Sequence, residues 1–474
     1  MLILAIKQKL KDMTPIKFGT DGWRAIIAQE YTVDNVMRVA EATALWMKTK
    51  GMTKIVIGHD CRFAGKLFTE SAIRVYTNHG LSVTTAEGFV STPMVSLAVV
   101  KTKADLGVVI TASHNPPSYN GYKLKSSFGG PTLPTDIAAV EELIPDAISV
   151  EYPFYQSIKE SVTYIDMEQM YMDHVAASFD LELIANSGMV LAYDAMYGAG
   201  QNVVRRLFPD AYLLHCDDDP SFKGQAPEPI HRNLTELSET IKQNAEVNLG
   251  LANDGDADRI GMYDEDGNFV DSHHILLLLL HYMAQYKKLT GKVIVTFSVT
   301  DKMKKLAEHY GLDCEVTKIG FKYIAEIMTR EDVLVGGEES GGLAVKGHIP
   351  ERDGVWIGLV IMEFMALTGK SIKQLVQDIY DIVGSFAFDR DDLHISNDKK
   401  WAIIDKCKSG AITALGDRTI IRTETIDGYK FYVSDDEWVM IRPSGTEPVL
   451  RVYAQAPDMA GVRTLLAATH QSLS

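Results

Sequence analysis

Four short runs in the sequence combine residue types that could act on a phosphorylated sugar. The first contains Ser113, just after the apolar run from Leu106 to Ile110, and the others lie further along the chain. The runs are Thr111-Ala-Ser-His-Asn-Pro116, Asp254-Gly-Asp-Ala-Asp-Arg259, Gly336-Gly-Glu-Glu-Ser-Gly-Gly342 and Arg442-Pro-Ser-Gly-Thr-Glu-Pro448. In turn they offer a hydroxyl nucleophile, a carboxylate cluster, sugar-type hydrogen-bonding groups and an anion clamp. Together they indicate a site that moves phosphate on a sugar.

Ser113 is the candidate nucleophile. A free serine hydroxyl reacts poorly and needs a base or a metal ion beside it. His114 follows directly, but neighbouring side chains generally point apart, so the sequence does not imply a Ser–His pair. Asn115 and Pro116 are typical of a turn. A serine that only caps this turn is therefore the alternative interpretation.

Asp254, Asp256 and Asp258 form the candidate metal site, in a predicted strand–loop–strand setting. Carboxylates at this spacing repel one another unless a cation lies between them, and their oxygens suit a hard ion such as Mg²⁺. A calcium EF-hand does not fit, because Arg259 stands at the sixth loop position, where that motif requires glycine. A solvated acidic turn is the alternative.

The two later runs are candidates for binding the substrate. Glu338 and Ser340 lie between glycine pairs and can hydrogen-bond sugar hydroxyls. His348 and Arg352 follow and could add a proton donor and a phosphate contact. In the last run a guanidinium, two hydroxyls and exposed N–H groups could surround an anion; these belong to Arg442, Ser444, Gly445 and Thr446. A flexible loop and a hairpin turn are the respective alternatives.

Bulk composition limits the protein class. The chain has 474 residues, 46% hydrophobic and 23% charged, as expected for a globular protein of several domains. A net charge of −16 argues against nucleic-acid and membrane partners, and it requires a local basic pocket for any anionic substrate. We find no signal peptide and no metal-type cysteine spacing, which indicates a cytoplasmic protein.

The elements that must position these runs alternate between short β-rich segments and helix-like segments. This rhythm predicts three α/β domains with mostly parallel sheets. Close strand candidates after residue 419 predict an antiparallel α+β domain at the end. We find no internal repeat in the sequence. The predicted domains are residues 1–150 with the serine loop, 151–268 with the metal loop, 269–384 with the sugar loop and 385–474 with the phosphate loop.

The four runs, in this order, resemble those of the α-D-phosphohexomutase superfamily. The run Phe18-Gly-Thr-Asp-Gly-Trp-Arg24 is similar to the N-terminal motif of that family. The resemblance extends from about residue 16 to about residue 454. It implies four domains around a central cleft, and an isomerase that turns hexose 1-phosphate into hexose 6-phosphate through phosphoserine and a 1,6-bisphosphate. It also implies Mg²⁺ and a hexose 1,6-bisphosphate activator.

The resemblance assigns roles residue by residue. Ser113 would carry the phosphoryl group and, with the three aspartates, hold Mg²⁺. Lys123 would be the general acid and base, and Arg24 would approach the phosphoserine; we add His114 and His348 as catalytic candidates. The sugar is assigned to Glu338, Ser340, Lys318 and Arg259. The non-reacting phosphate is assigned to Arg442, Ser444, Gly445, Thr446 and Arg451.

Two positions in the sugar loop bear on which hexose is bound. Phosphoglucosamine mutases usually have Gln where this chain has Glu339, and many phosphomannomutase-type enzymes end the loop with His, where this chain has Gly342. The runs 317–322 and 348–353 are more similar to phosphoglucomutases. We therefore predict glucose phosphate first, with mannose phosphate or dual specificity second. A sugar-bisphosphate synthase and a non-catalytic sugar-phosphate sensor are distant alternatives. We expect a monomer or homodimer.

Overall fold

The computed structural model describes residues 16–148, 150–444 and 448–473. Within them the chain forms four larger β-sheets, one in each of four successive segments, with helices packed around them. We call each sheet with its helices a domain, numbered I to IV. Three α/β domains followed by an α+β domain confirm the predicted fold class.

Domain I has a six-stranded sheet. Its strands are β1 (Trp23–Ile26), β2 (Lys54–His59), β3 (Ser82–Thr85), β4 (Leu106–Ile110), β5 (Tyr119–Ser126) and β6 (Thr163–Tyr164). Its helices are α1 (Val33–Thr49), α2 (Gly65–Asn78), α3 (Thr92–Thr102), α4 (Pro134–Glu142) and α5 (Tyr155–Ile158). The order is β1-β5-β4-β2-β3-β6, with β5 and β1 antiparallel at one edge. The sixth strand comes from beyond residue 150, where we predicted the domain to end.

Domain II has a five-stranded sheet in the order β11-β10-β9-β7-β8. Strands β7, β8 and β9 are parallel, and β10 and β11 are antiparallel. The strands are β7 (Val190–Asp194), β8 (Tyr212–Leu214), β9 (Val247–Asn253), β10 (Ile260–Tyr263) and β11 (Phe269–Val270). The helices are α6 (Met167–Ser178), α7 (Leu181–Ala185), α8 (Gln201–Leu207) and α9 (Thr235–Gln243).

Domain III repeats this plan with four strands, in the order β13-β12-β14-β15. Only β15 is antiparallel to its neighbour. The strands are β12 (Lys292–Thr296), β13 (Cys314–Thr317), β14 (Val333–Gly337) and β15 (Leu343–Val345). The helices are α10 (Ser272–His281), α11 (Lys302–His309), α12 (Phe321–Met328), α13 (Gly354–Thr368) and α14 (Ile372–Val383).

Domain IV has a fully antiparallel five-stranded sheet, in the order β16-β22-β21-β20-β19, and a small β17–β18 pair. The strands are β16 (Ala387–His394), β17 (Ala414–Leu415), β18 (Arg418–Thr419), β19 (Arg422–Glu424), β20 (Tyr429–Tyr432), β21 (Trp438–Pro443) and β22 (Val449–Ala456). The helices are α15 (Asn397–Lys408) and α16 (Met459–Leu473).

Local sequence explains the elements nearest the cleft. Strand β4 is a continuous apolar run buried along its whole length, as expected for an inner parallel strand. Helix α3 begins at Ser91, whose hydroxyl accepts from the Met94 N–H and caps the helix. The predicted core helix around Ile275 to Leu280 is confirmed, because these residues of α10 are fully buried. No single helix among the described residues is long and apolar enough to span a membrane; α13 and α14 meet the criterion only as a pair, bent by 87°.

One topological position recurs in all four domains. In domains I to III an inner strand ends in a loop, and the chain returns as an antiparallel neighbour, in the pairs β4–β5, β9–β10 and β14–β15. In domain IV the pair β21–β22 does the same. Each of these four loops carries one of the four runs found in the sequence. The repeat is therefore one of topology and not of sequence.

Candidate functional site

Ser113 lies in the β4–β5 loop with a left-handed backbone, φ 52°. This conformation costs a non-glycine residue roughly 1–2 kcal/mol, so the surrounding contacts must enforce it. The Ser113 N–H donates to the Thr111 hydroxyl at 2.9 Å, and Ser113 Oγ donates to Asp254 Oδ2 at 2.6 Å. The serine hydroxyl of domain I is thereby held against the acidic loop of domain II.

The three aspartates of the acidic loop are completely buried. One oxygen from each lies within 4.8 Å of the others. Oδ1 of Asp256 and Oδ1 of Asp258 are buried and accept no hydrogen bond within the described part of the chain. Buried carboxylate oxygens without a donor are costly, and a hard divalent cation with oxygen ligands would satisfy them. The donor set therefore fits Mg²⁺.

Charge is unevenly distributed within this loop. Burial raises the pKa of Asp254 well above its usual value, and the neighbouring charges of Asp256 and Asp258 add to the effect. Burial also opposes the charge of Asp256, but the Lys123 ammonium outweighs it and holds the pKa of Asp256 below its usual value. The triad is thus a set of carboxylates that its own surroundings only partly neutralise.

Lys123 lies on β5 at the centre of a buried ion-pair network. Its Nζ is 2.8 Å from Asp21 Oδ2, 2.8 Å from Asp256 Oδ2 and 2.9 Å from Asp258 Oδ2. Burial alone would lower the pKa of Lys123, but these carboxylates outweigh burial and raise it. Lys123 therefore holds its proton in this arrangement, as a cation and a proton donor.

Arg352 joins the same network from domain III. Its Nη2 lies 2.6 Å from Asp21 Oδ2 and 2.8 Å from Asp258 Oδ2. A Cβ at position 342 would lie only 2.5 Å from Arg352 Cδ, so Gly342 is the residue that lets this arginine approach. The network thus joins the N-terminal run Phe18–Arg24, which we call the entry run, with the acidic loop and domain III in one buried cluster.

Arg24 and His114 flank the serine. Arg24 Nη1 donates to Asn115 Oδ1 at 2.8 Å, and His114 Nδ1 lies 3.4 Å from Ser113 Oγ. Burial lowers the pKa of His114 well below its usual value, and nearby cations, Arg259 first among them, lower it further. His114 is therefore neutral beside the serine, contrary to our expectation that the two side chains point apart.

The sugar loop packs directly on the metal loop. The Ile260 N–H donates to the Gly341 carbonyl at 3.2 Å, and Gly341 has a φ of 87°, which favours glycine. Glu338 is buried, and burial raises the pKa of its carboxyl group to about 7, against the opposing charge of Arg352. Ser340 is half-buried in the same turn. Both predicted sugar ligands therefore lie beside the acidic loop.

Arg259 stands between these two loops. Its Nη1 is 3.8 Å from Glu228, and its Nε is buried without a hydrogen-bond partner among the residues described. A buried N–H without an acceptor is costly. An incoming oxygen would satisfy it, which agrees with the predicted place of Arg259 at the substrate.

Domain IV presents paired arginines. Arg442 on β21 and Arg451 on β22 are direct Cα partners, so their like charges lie side by side. Among the described residues, the Arg442 guanidinium has Asp427 as its ion-pair partner, at 3.3 Å, and the Arg451 guanidinium has Asp392, at 3.8 Å. Both Nε atoms are buried, and neither donates a hydrogen bond to a described residue. Like charges directly opposite destabilise a sheet, and a bound anion removes the cost.

The remaining residues predicted for the phosphate loop give a mixed result. Ser444 is buried; its N–H donates to the Val449 carbonyl at 2.9 Å, and its carbonyl accepts from Lys400 at 3.0 Å. Gly445 and Thr446 lie outside the described residues. Of the predicted phosphate clamp, the described residues therefore include Arg442, Arg451 and Ser444.

Two predicted residues do not join the buried cluster. His348 Nε2 lies 2.9 Å from Asp353 Oδ2, and its Nδ1 lies 3.3 Å from His174 Nε2. With both ring nitrogens engaged and its ring stacked on Trp356, His348 does not fit the predicted catalytic role. Lys318 is exposed near the junction of domains III and IV, and its side chain does not reach the network.

Sequence reasoning missed several residues that complete the site. The Asp21 carboxylate forms ion pairs with Lys123 and Arg352. Its place in the entry run, between Thr20 and Gly22, could have identified it. Asp60 directly follows the buried strand β2, where the carboxyl ends of parallel strands line a crevice. Thr92, whose hydroxyl donates to Asp256 at 2.5 Å, gave no signal, because it lies far from the acidic loop in sequence.

Comparison with known families matches the chain in four consecutive segments. Phosphoglucomutase/phosphomannomutase alpha/beta/alpha domains I, II and III match residues 15–150, 169–267 and 271–383, and the C-terminal domain of the same family matches residues 397–471. The chain belongs to the phosphoglucomutase/phosphomannomutase family. The predicted α-D-phosphohexomutase membership is confirmed, and with it the prediction of an isomerase acting on hexose phosphates.

Individual relatives match over nearly their whole length. A phosphoglucosamine mutase from Methanococcus aeolicus is 30% identical, over 95% of this chain and 96% of its own. A phosphoglucomutase/phosphomannomutase from Thermococcus kodakarensis is 28% identical, over 95% and 96%. A crystal structure from Thermus thermophilus, described as a phosphomannomutase, has a TM-score of 0.86 at 31% identity and covers 97% of this chain and 99% of that one. These names span three different sugars.

Proposed function

We propose that this phosphohexomutase interconverts glucose 1-phosphate and glucose 6-phosphate, with Ser113 carrying the phosphoryl group between turnovers. The position of Ser113 Oγ, 2.6 Å from Asp254 in the buried triad, supports this assignment above all. A hydroxyl that gives and takes a doubly charged group needs fixed positive charge around it. Arg24 on β1, Lys123 on β5 and Arg259 in the acidic loop supply that charge.

In the proposed reaction the phosphoryl group leaves Ser113 Oγ and bonds to the free hydroxyl of the sugar monophosphate, which gives a 1,6-bisphosphate. One proton moves, in net terms, from the sugar hydroxyl to Ser113 Oγ. Lys123 donates to the leaving serine oxygen and regains a proton from the sugar hydroxyl. When the other phosphate returns to Ser113, the sugar leaves as the isomer.

The residues around the serine also fit the metal that the family resemblance implies. Mg²⁺ would be held by Asp254, Asp256 and Asp258 together with a phosphoserine oxygen. It would neutralise charge on the phosphoryl group during transfer. Burial of Ser113 and of the triad keeps water away from the phosphoserine, so that the group is transferred and not hydrolysed.

The proposed substrate lies between the acidic loop of domain II, the sugar loop of domain III and the arginines of domain IV. Glu338, Ser340 and Arg259 contact the sugar hydroxyls, and Arg442 and Arg451 hold the phosphate that is not reacting. The open Nε atoms of three of these residues, Arg259, Arg442 and Arg451, support this placement. A guanidinium recognises phosphate with two parallel N–H donors, which fixes the orientation of the sugar as well as its affinity.

Glucosamine phosphate is the second candidate substrate. The relative from Methanococcus aeolicus carries this sugar in its name and is 30% identical over nearly the full length. Glu338 and Glu339 place two carboxyl groups in the sugar loop, and a C2 ammonium group would be attracted to them. Against this candidate, the chain has Glu339 where phosphoglucosamine mutases usually have Gln.

A coupled assay tests the proposal. Purified protein is given Mg²⁺, a trace of glucose 1,6-bisphosphate and glucose 1-phosphate, and glucose 6-phosphate is followed. We expect turnover in the wild type, loss in Ser113→Ala, and retention in the matched control Ser118→Ala from the same loop. Mannose 1-phosphate and glucosamine 1-phosphate are then ranked by kcat/KM. Unchanged turnover in Ser113→Ala would refute the phosphoserine, and a higher rank for either other sugar would refute the glucose preference.

A further inference from the structure

The Arg62 guanidinium group hydrogen-bonds the backbone of the Ser113 loop. Its Nη2 donates to the carbonyls of Ser113 and Asn115, each at 2.6 Å. Its Nη1 donates to the carbonyls of Pro116 and Tyr119, at 2.9 Å and 3.0 Å. One guanidinium group therefore binds four carbonyl oxygens between Ser113 in the loop and Tyr119 at the start of β5.

These bonds supply donors to buried carbonyl groups of the loop. Between β4 and β5 the backbone has no strand partner, and its buried carbonyls need donors from elsewhere. The Arg62 side chain is completely buried, so water does not compete for these carbonyls. A guanidinium suits the task, because it offers several N–H donors in one rigid plane and keeps its charge when buried.

The surroundings of Arg62 fix the guanidinium in turn. Asp60 Oδ2 lies 3.4 Å from Arg62 Nε, and the face of the guanidinium packs 5.1 Å from the centre of the Phe222 ring of domain II. Asp60 Oδ2 also accepts from the Thr111 hydroxyl at 2.5 Å, and that hydroxyl accepts from the Ser113 N–H. Asp60 therefore connects to both ends of the turn that carries Ser113, through Arg62 on one side and Thr111 on the other.

We propose that Arg62 is a positioning residue for phosphoryl transfer, which keeps Ser113 in its left-handed turn and its Oγ directed at Asp254. Arg62 contacts the Ser113 carbonyl and not the hydroxyl, so it acts through the backbone and touches no substrate. This inference rests on the proposed phosphoserine. It adds that the geometry of the nucleophile is set by a residue 51 positions earlier in the sequence.

Substitution by lysine separates charge from geometry. Arg62→Lys keeps a positive charge at the same depth, but an ammonium group cannot reach four carbonyls from one rigid plane. A displacement of about 1 Å at a reacting atom costs on the order of 100-fold in rate. We therefore expect kcat to fall about 100-fold in Arg62→Lys, with KM for glucose 1-phosphate little changed, because the proposed sugar and phosphate contacts lie outside domain I.

Arg74 provides the matched control. It lies on α2 of the same domain, and its guanidinium also binds backbone carbonyls, those of Pro153 at 2.6 Å and Tyr152 at 2.9 Å. That loop carries no site residue. Arg74→Lys therefore reports what the loss of such a clamp costs in stability, without an effect on the serine.

The experiment compares the wild type, Arg62→Lys, Arg62→Ala and Arg74→Lys. Intact mass gives the phosphate on Ser113, rapid quench gives the rate of transfer to glucose 1-phosphate, and thermal unfolding gives stability. We expect slow transfer in both Arg62 variants, partial recovery of Arg62→Ala with added guanidinium ion, and normal transfer in Arg74→Lys. If Arg62→Ala does not fold, the transfer rates of Arg62→Lys and Asp60→Asn are compared with that of the wild type instead. Asp60→Asn weakens the ion pair that holds the same guanidinium group.

Each outcome bears on the inference. Transfer by Arg62→Lys within twofold of the wild type would overturn the inference and leave the proposed function standing. Equal kcat losses in Arg62→Lys and Arg74→Lys would also overturn it, because the effect would then be one of general stability. A wild type without phosphate on Ser113 in any turnover condition would overturn both the inference and the proposed function.

Discussion

Glu339 and Arg390 belong to different domains, and Glu339 Oε1 lies 3.8 Å from Arg390 Nη1. The other oxygen of Glu339 accepts from the Ser298 hydroxyl at 2.6 Å, which ties the sugar loop to the body of domain III. Arg390 lies on β16 and packs over the Tyr453 ring on the same face of the sheet as Arg451. Glu339 therefore links the loop proposed to bind sugar with the domain proposed to bind phosphate.

Glu339→Gln tests this link, because it removes the charge and keeps the size of the side chain. A partly exposed ion pair contributes up to about 1 kcal/mol, which corresponds to roughly a fivefold change in affinity. We expect KM for the sugar phosphate to rise by up to that factor, with thermal stability unchanged. Steady-state kinetics measure it, with Glu326→Gln, from an exposed ion pair on α12, as the control. Equal KM values for both variants and the wild type would contradict the link.

Asp254→Asn should separate metal binding from stability. Burial and two neighbouring aspartates disfavour charge on Asp254, so the neutral amide relieves repulsion while its oxygen still accepts from the Arg259 N–H. Without metal we expect a melting temperature equal to or above that of the wild type. With Mg²⁺ we expect the wild type to be stabilised and the variant not, since only binding to the native state raises stability. Calorimetry with and without Mg²⁺ measures both.

A variant that remains stabilised by Mg²⁺ would place the ion elsewhere. Asp264→Asn is the control, because Asp264 is also buried in a turn of domain II but lies outside the triad. Its response to Mg²⁺ should match that of the wild type.

Glu338→Gln should show that the buried carboxyl group of the wild type costs stability at neutral pH. Burial raises the pKa of Glu338 from 4.5 to about 7 in the folded protein. Between these values the folded state holds a proton that the unfolded state has lost, so the wild type loses stability as pH rises from 4.5 to 7. The glutamine variant has no such loss, and its gain over the wild type should reach about 3 kcal/mol above pH 7.

Unfolding by urea at pH 5 and at pH 8 measures this difference, and Glu331→Gln on the surface of the same domain serves as the control. The variant should also bind substrate more weakly, because the carboxyl group proposed to contact the sugar is gone. A stability difference that does not change with pH would show that Glu338 ionises normally in the folded state.

Arg451→Ala should abolish stabilisation by phosphate. Removal of one of two opposed arginines relieves repulsion across β21 and β22, so the variant should be no less stable than the wild type in phosphate-free buffer. Loss of a charge-assisted hydrogen bond costs about 1.5–3 kcal/mol, which predicts a rise in KM of roughly 10- to 100-fold. Melting temperatures with and without inorganic phosphate, and KM, measure the two effects.

Arg463→Ala is the control for Arg451→Ala, because Arg463 pairs with Asp389 on the opposite face of the same sheet. It should retain stabilisation by phosphate. If Arg451→Ala retains it as well, the anion lies elsewhere.

Sequence reasoning singled out the residues that we propose to touch substrate and missed those that hold them in place. Ser113, the three aspartates and Glu338 stood in short runs of unusual composition, so their types and spacing were visible. Asp21 and Arg62 act through contacts with residues far away in the sequence, and one-dimensional spacing does not carry such contacts. The sequence likewise did not reveal the contacts of His348, since its partners His174 and Asp353 meet it only in the folded chain.

The sequence also failed to reveal strand β16. Four of its eight residues are charged, which is typical of a loop, yet it pairs with β22 along its whole length. Its polarity has two uses. Asp389 pairs with Arg463 of α16 on one face, while Arg390 faces the cleft on the other. Charge that would destabilise an ordinary strand is satisfied here on both sides.

The recurrence of one hairpin loop in all four domains distributes the proposed site residues over four domains. The proposed nucleophile, the proposed metal ligands, most of the proposed sugar contacts and the proposed phosphate contacts each lie in a different domain, so we expect no domain to catalyse the reaction by itself. Activity then reports the docking of four domains and not the folding of any one of them. On gentle heating, turnover should disappear while most helices and strands are still intact.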